Sequence, residues 1–267
     1  MNPLFKTLFS QHVKNDNIFL ILNDGSSLSY KNFMLIVFHF AYEIRNLGLE
    51  PGDRVALQIP KSVNSLAIYG ACVQTGVVFL PLNPDYKKSE VEYFLRDSGT
   101  KLFICSGSME TQLLGFTIEN ETVLIKTLES DDSGSFFSAP LKTVKDEKVT
   151  DRNHTDILAF LYTSGTTGKS KAVMLTHDNL ISNVHTLSQH WQFNERDTLL
   201  HPLPVYHTHG LFVATNITLL VGAKMIYLDK FRVEKVVNWL SNTTVMMGVP
   251  THYNRLLAHG ALNKNII

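Results

Sequence analysis

The stretch that decides the fold is Leu158–Leu180, LAFLYTSGTTGKSKAVMLTHDNL. The apolar run Leu158–Tyr162 has the length of a buried strand. Nine residues of Thr, Ser, Gly and Lys follow, Thr163 to Lys171, and then the apolar Ala172–Leu175 resumes. A flexible linker shares the composition of the middle but not of its flanks. Gly165 and Gly168 let successive backbone N–H groups turn toward one point, which makes an anion nest. Thr163, Ser164, Thr166 and Thr167 add hydroxyl donors, and Lys169 and Lys171 add positive charge.

A nest of this kind directly after a buried strand suits a polyphosphate. The bland alternative is a surface Ser/Gly turn, which the two apolar flanks disfavour. A Walker-type loop, G-x-x-x-x-G-K-[ST], is a second alternative: Gly168, Lys169 and Ser170 fit it, but Thr163 stands where its first glycine belongs. Such a loop runs straight into a helix. Here the apolar residues after Ser170 predict a strand, and helix-start signals come only at Thr176–Asn179.

Outward from the loop, short apolar runs alternate with helical patterns. IFLILNDGSSLSY predicts a hairpin turning at Asp24–Gly25. Helices are expected over about 31–47, 62–74 and 89–97, with strands RVALQI, VVFLPL and KLFIC between and after them. Residues 129–153 are polar and aperiodic, a surface excursion and a soft boundary. Beyond the loop come a helix over about 178–191, TLLHPLP, the apolar GLFVATNITLL, the strand KMIYLD, the helix VEKVVNWL, the strand TVMMGVP and a last short helix. The pattern predicts an α/β fold of mainly parallel sheets covered by helices, in subdomains 1–150 and 151–267.

The 267 residues are 44% hydrophobic and 18% charged, the composition of a globular chain. Lys+Arg and Asp+Glu each total 24, so no net field draws in nucleic acid or an anionic membrane. Cys72 and Cys105 sit in apolar runs, which favours packing over a disulfide and fits a reducing compartment. The N-terminus lacks a signal-peptide pattern, and no apolar run reaches the ~20 residues that span a bilayer. A cytoplasmic protein is expected.

His207 and His209 form an H-x-H pair with His201 nearby. On a strand such a pair shares a face and could hold a metal, but no Cys, Asp or Glu lies near in sequence. Ordinary hydrogen-bonded histidines are the plainer alternative. Arg255 lies in the first turn of the last helix, whose expected apolar stripe is Tyr253, Leu256 and Leu257. A lone helical arginine is usually solvated.

YTSGTTGKSKAVMLTH resembles the signature of the adenylate-forming superfamily, aromatic-T-S-G-T-T-G-x-P-K-G. Ser170 replaces its Pro and Ala172 its last Gly. GVVFLPLNPDY (Gly76–Tyr86) is similar to an earlier family segment. LPVYHTHGLFVATNITLL and VMMGVPTHYNRLL look most like the malonyl-CoA synthetase branch. The resemblance covers the chain from the first hairpin onward and implies the N-terminal part of the adenylate-forming fold. It further implies ATP-dependent activation of a carboxylic acid as acyl-adenylate, then capture by coenzyme A, with Mg2+.

On the resemblance, Thr163, Ser164, Gly165, Thr166, Thr167, Gly168 and Lys171 hold the phosphates, and Thr163 neighbours Mg2+. His207 is the gate residue between ATP and acyl group, and Thr208, His209 and Gly210 border the acyl pocket. Arg255 would pair the second carboxylate of a diacid such as malonate. His252 stands where that branch has an aromatic or apolar residue. A fatty acyl-CoA ligase and a non-catalytic nucleotide-binding fragment are the alternatives. The family's magnesium-holding acid, ribose-binding Asp, hinge and small C-terminal domain have no match before Ile267. The chain is therefore expected to be inactive alone: a truncated product, an excised piece or one half of a split enzyme.

Overall fold

A computed structural model of the chain describes residues 1–119, 121–138, 140, 143, 145–163 and 170–260. The loop residues Ser164, Gly165, Thr166, Thr167, Gly168 and Lys169 lie outside the described residues. In chain order the elements begin α1 (Pro3–Leu8), β1 (Ile18–Ile21), β2 (Ser27–Ser29), α2 (Tyr30–Asn46), β3 (Arg54–Gln58), α3 (Val63–Thr75) and β4 (Val78–Pro81). They continue with α4 (Lys88–Ser98), β5 (Leu102–Cys105), α5 (Gly107–Gln112), β6 (Thr117–Ile118), β7 (Glu121–Thr122), β8 (Leu124–Thr127), β9 (Ile157–Thr163) and β10 (Lys171–Thr176). The last set is α6 (His177–His190), β11 (Thr198–His201), a π-helical segment (His209–Thr215), α7 (Asn216–Val221), β12 (Lys224–Tyr227), α8 (Val233–Leu240), β13 (Val245–Met246) and α9 (Pro250–Ala258).

The elements form two compact units, one of Met1–Thr7 with Met34–Ile181 and the other of Leu8–Phe33 with Ser182–Ile267. The first holds a six-stranded sheet in the order β10-β9-β4-β3-β5-β8. Its pairs are parallel except β9 with β10. Parallel strands must be covered on both faces, which explains why VFLP and LFIC are buried at every position. Helix α3 is buried along almost its whole length, as its near-uniform apolarity requires. Ser62 and Ser65 close a capping box at its start, and left-handed Gly76 (φ +77°) stops it.

The second unit holds a five-stranded sheet, order β13-β11-β12-β1-β2, parallel except for the β1–β2 hairpin. That hairpin turns where Asp24–Gly25 predicts: Gly25 has φ +84°, and Ser26 donates to Asp24 Oδ1 through its backbone N–H at 2.9 Å. Leu200, Ile226, Leu228, Val236 and Leu256 form its core between sheet and helices.

The soft boundary near residue 150 coincides with none of the unit edges, which fall at 7/8, 33/34 and 181/182. Strand β9 pairs with β4 and so extends the first sheet, and the change of unit falls at 181/182 instead. The polar 129–153 stretch holds no helix or strand among its described residues, yet it is not wholly superficial. Phe136 is buried and stacks on Phe40 at 5.5 Å, and the Asp146 carboxylate pairs with Arg45.

Candidate active site

In the first unit the decisive stretch is a β-hairpin. Lys171 faces Thr163 and Ala172 faces Tyr162 in antiparallel register, so the Gly/Thr-rich stretch falls in sequence between two paired strands. The chain leaves the loop as strand β10, and helix α6 starts only at His177. That geometry removes the Walker-type alternative, whose loop feeds a helix directly. Thr163 and Lys171, both exposed, sit opposite each other at the loop's mouth.

Helix α4 anchors both feet of this loop. The Tyr93 hydroxyl donates to the Ser170 carbonyl at 2.7 Å, and the Tyr162 hydroxyl donates to Asp97 Oδ2 at 2.7 Å. Phe94 packs on the Tyr162 ring at 4.4 Å. Burial, reinforced by Asp97, pushes the Tyr162 phenol well above its ordinary range, so it stays a neutral donor. At the far end Thr176 and Asn179 cap α6 reciprocally, Thr176 N–H to Asn179 Oδ1 at 3.0 Å and Asn179 N–H to Thr176 Oγ1 at 3.2 Å.

In the second unit the H-T-H-G stretch does not form a strand. It leads into the π-helical segment, whose widened turns are rare and recur at functional sites. Gly210 is required there: a Cβ would lie 1.9 Å from the Pro204 carbonyl oxygen. Its own carbonyl accepts from His201 Nε2–H at 2.8 Å and from the Thr215 hydroxyl at 3.0 Å. His201 is thereby a buried structural donor. His207 and Thr208 are exposed and His209 half-buried. The His207 ring lies against Tyr206 at 4.5 Å, and although its surface is open, desolvation still lowers its basicity. His209 is shifted the same way by burial. Among the described residues no three His, Cys, Asp or Glu side chains converge.

A pocket of about 270 Å³ opens beside His209, lined also by Trp191, Phe193, Met246, Met247, Gly248 and Tyr253. Arg255 is not among its lining residues. It is exposed, and it falls in the second turn of α9, which begins at Pro250, rather than in the first. The expected apolar stripe on α9 needs correction too: Leu256 alone is buried, while Tyr253 and Leu257 are 42% and 68% exposed. A nine-residue helix at the margin of the unit reaches the core through a single side chain. The Tyr253 hydroxyl ties α9 to β13 by donating to the Met246 carbonyl at 3.2 Å. Tyr93, Asp97 and the pocket walls escape sequence reasoning because they meet the site across long stretches of chain, with no local pattern to mark them.

The pattern of the AMP-binding enzyme family matches residues 9–266. The chain belongs to that family. It is 31% identical over 217 residues to the malonate–CoA ligase ACSF3, mitochondrial, of Xenopus laevis, covering 78% of this chain and 36% of that one. Over 221 residues it is 30% identical to the oxalate–CoA ligase of Arabidopsis thaliana, covering 80% and 43%. ATP-bound MatB from Rhodopseudomonas palustris superposes with a TM-score of 0.93 at 40% identity, over all of this chain and 53% of that one. The chain thus spans about half or less of the relatives it matches, and its α/β architecture is that of the N-terminal domain in this family of acyl-CoA ligases. No helix among the described residues is long and apolar enough to cross a membrane.

Proposed function

We propose that this chain carries the phosphate-binding and acyl-binding portions of an ATP-dependent acid–thiol ligase acting on a small dicarboxylic acid, malonate or a near relative. In the first step a carboxylate oxygen attacks the α-phosphorus in line, and the bond to pyrophosphate breaks. The coenzyme A thiol, losing its proton, then attacks the acyl carbon and AMP leaves. Such chemistry asks the protein mainly for position and for charge stabilisation. The observation that carries the reading is the hairpin: two paired strands hold Thr163 and Lys171 together at the mouth of a Gly/Thr loop.

In this reading the hydroxyls and amides of Thr163, Ser164, Gly165, Thr166, Thr167 and Gly168 cradle the β- and γ-phosphates, and Lys171 supplies charge. Mg2+ would take Thr163 as one hard oxygen ligand and draw the others from the triphosphate and water. His207 stands as the gate and, with Thr208, His209 and Gly210, borders the acyl group. The family's further domain, on the same chain or on a separate one, would complete the thiol-transfer step. Two free, buried cysteines fit a reducing compartment, for which the cytoplasm is our choice; a fusion protein found in mitochondria would reverse it.

A fatty acyl substrate is the second reading, favoured by the apolar Trp191, Phe193, Met246 and Met247 walls and by the absence of Arg255 from the lining. Calorimetry and ATP–pyrophosphate exchange on the full chain test the scheme. Lys171→Ala is expected to weaken MgATP binding by about tenfold, the scale of one charge-assisted contact. Arg255→Leu is expected to erase any preference for malonate over propionate. Unchanged ATP affinity in the first variant rejects the phosphate site, and unchanged acid preference in the second favours the fatty acyl reading.

A further inference from the structure

Helix α4 meets the strands that flank the Gly/Thr-rich stretch with one of its faces. Tyr93 and Asp97 are four residues apart on it, so their side chains are neighbours one turn apart. The Tyr93 hydroxyl donates to the Ser170 carbonyl at 2.7 Å, just after that stretch, and Asp97 accepts from the Tyr162 hydroxyl, just before it. The buried Phe94, between them in sequence, packs on the Tyr162 ring at 4.4 Å and edge-on against Tyr93 at 5.5 Å. The Tyr93 and Tyr162 rings also meet edge to face, at 6.2 Å.

The tie at Ser170 bears on its neighbour. A carbonyl oxygen lies in the same rigid plane as the next residue's amide nitrogen. Holding the Ser170 oxygen therefore holds the plane that ends at Lys171, the residue paired with Thr163 across the two strands. Strand β10 is the last of its sheet, so among the described residues Lys171 has a strand on one side only. A serine leaves its own φ open, as a proline would not, so the direction in which the chain enters β10 needs a hold from outside. The Tyr93 hydroxyl supplies it. A lysine carries its charge at the end of a flexible four-carbon stem, so freedom in its backbone widens the space the ammonium explores.

We infer that Tyr93 is a positioning residue for the triphosphate: its hydroxyl, acting through the Ser170 carbonyl, aims Lys171 at the phosphates. The inference rests on the phosphate reading above and deepens it. Tyr93 need not touch the ligand. A lysine whose backbone is fixed before binding has less freedom to lose when it captures an anion, so the anion is held more tightly. The Tyr162–Asp97 tie steadies the strand before the loop in the same way, which keeps Thr163 opposite the lysine that Tyr93 aims.

The test is a double-mutant cycle on the full chain, with MgATP and magnesium tripolyphosphate as the calorimetric probes. Tripolyphosphate offers phosphates and nothing else. Tyr93→Phe keeps the ring and its packing and removes only the hydroxyl, so the variant should stay folded, which circular dichroism checks. It is expected to bind both probes about fivefold more weakly, the scale of one partly buried hydrogen bond. In a Lys171→Ala background the same change should weaken binding by less than about twofold, because a residue that acts through Lys171 then has nothing left to aim. An equal penalty in both backgrounds would make Tyr93 a structural prop and overturn its positioning role. Unchanged affinity in Tyr93→Phe would overturn it too, as would a loss seen with MgATP and not with tripolyphosphate; in each of these cases a weakened Lys171→Ala leaves the phosphate reading standing. If Lys171→Ala itself binds both probes as wild type does, the phosphate reading falls and the inference falls with it.

Discussion

His12 and His177 are buried histidines held neutral by their surroundings. His12 stacks on Tyr30 at 3.8 Å and donates from Nε2 to the Leu219 carbonyl at 2.7 Å. Burial outweighs that bond and lowers its pKa to about 4. His177 is fully buried, with neither ring nitrogen partnered among the described residues, and burial, aided by the nearby Arg152 charge, takes it to about 4 as well. Both folded values lie below the unfolded value near 6.5. As pH falls from about 6.5 toward 4, the unfolded chain takes up protons that the folded chain refuses, so stability is lost over that window and is whole above it. Each histidine is expected to cost about 2 kcal/mol between pH 7.5 and pH 5. Urea unfolding at the two pH values measures the sum, and His177→Leu should remove about half of the difference. A midpoint indifferent to pH would show that the rings are solvated.

Among the elements, the π-helical segment His209–Thr215 is the one most exposed to a single substitution. Gly210 admits the Pro204 carbonyl where any side chain would stand, and the clash falls on backbone, which cannot swing aside. Gly210→Ala should cost about 3 kcal/mol through the shift it forces. A protein of this size should then melt roughly 5–10 °C lower, a drop that scanning calorimetry resolves. An unshifted melting temperature would mean that the segment relaxes freely. Sequence could not foresee this element: GLFVATNITLL reads as apolar, and the widened turn depends on a contact with residue 204 and on the His201 and Thr215 donors. The central strands β3, β4, β5 and β12 were legible because each is built on a short apolar run between turn residues. Strand β8 was not, since LIKT is short, half polar and at the sheet edge. For the site, the strand–loop–strand arrangement that sets Thr163 opposite Lys171 was legible from the loop's flanks. The tether from Tyr93 was not, because it links Ser170 to a helix 77 residues earlier.

At the scale of the molecule, the two proposed binding functions belong to different compact units. The loop hairpin β9–β10 is in the unit of Met34–Ile181, and the π-helical segment, β13 and α9 are in that of Ser182–Ile267. Each unit has its own sheet and core, so a ligand held by one should stabilise that unit first. A ligand at 100 times its Kd adds about 2.7 kcal/mol to whatever it binds. Hydrogen exchange reads this locally, because amides open with the free energy of their own cooperative region. MgATP is expected to slow exchange in β9 and β10, and malonate to slow it in the π-helical segment and α9. The magnitude should track ligand concentration logarithmically in each case. Protection by malonate confined to β9 and β10 would place the acid at the phosphate loop and dismiss the pocket beside His209 as its seat. Protection in both units by either ligand alone would instead mean that the units open as one cooperative body, and the assignment of ligands to units would then rest on the Lys171 and Arg255 variants.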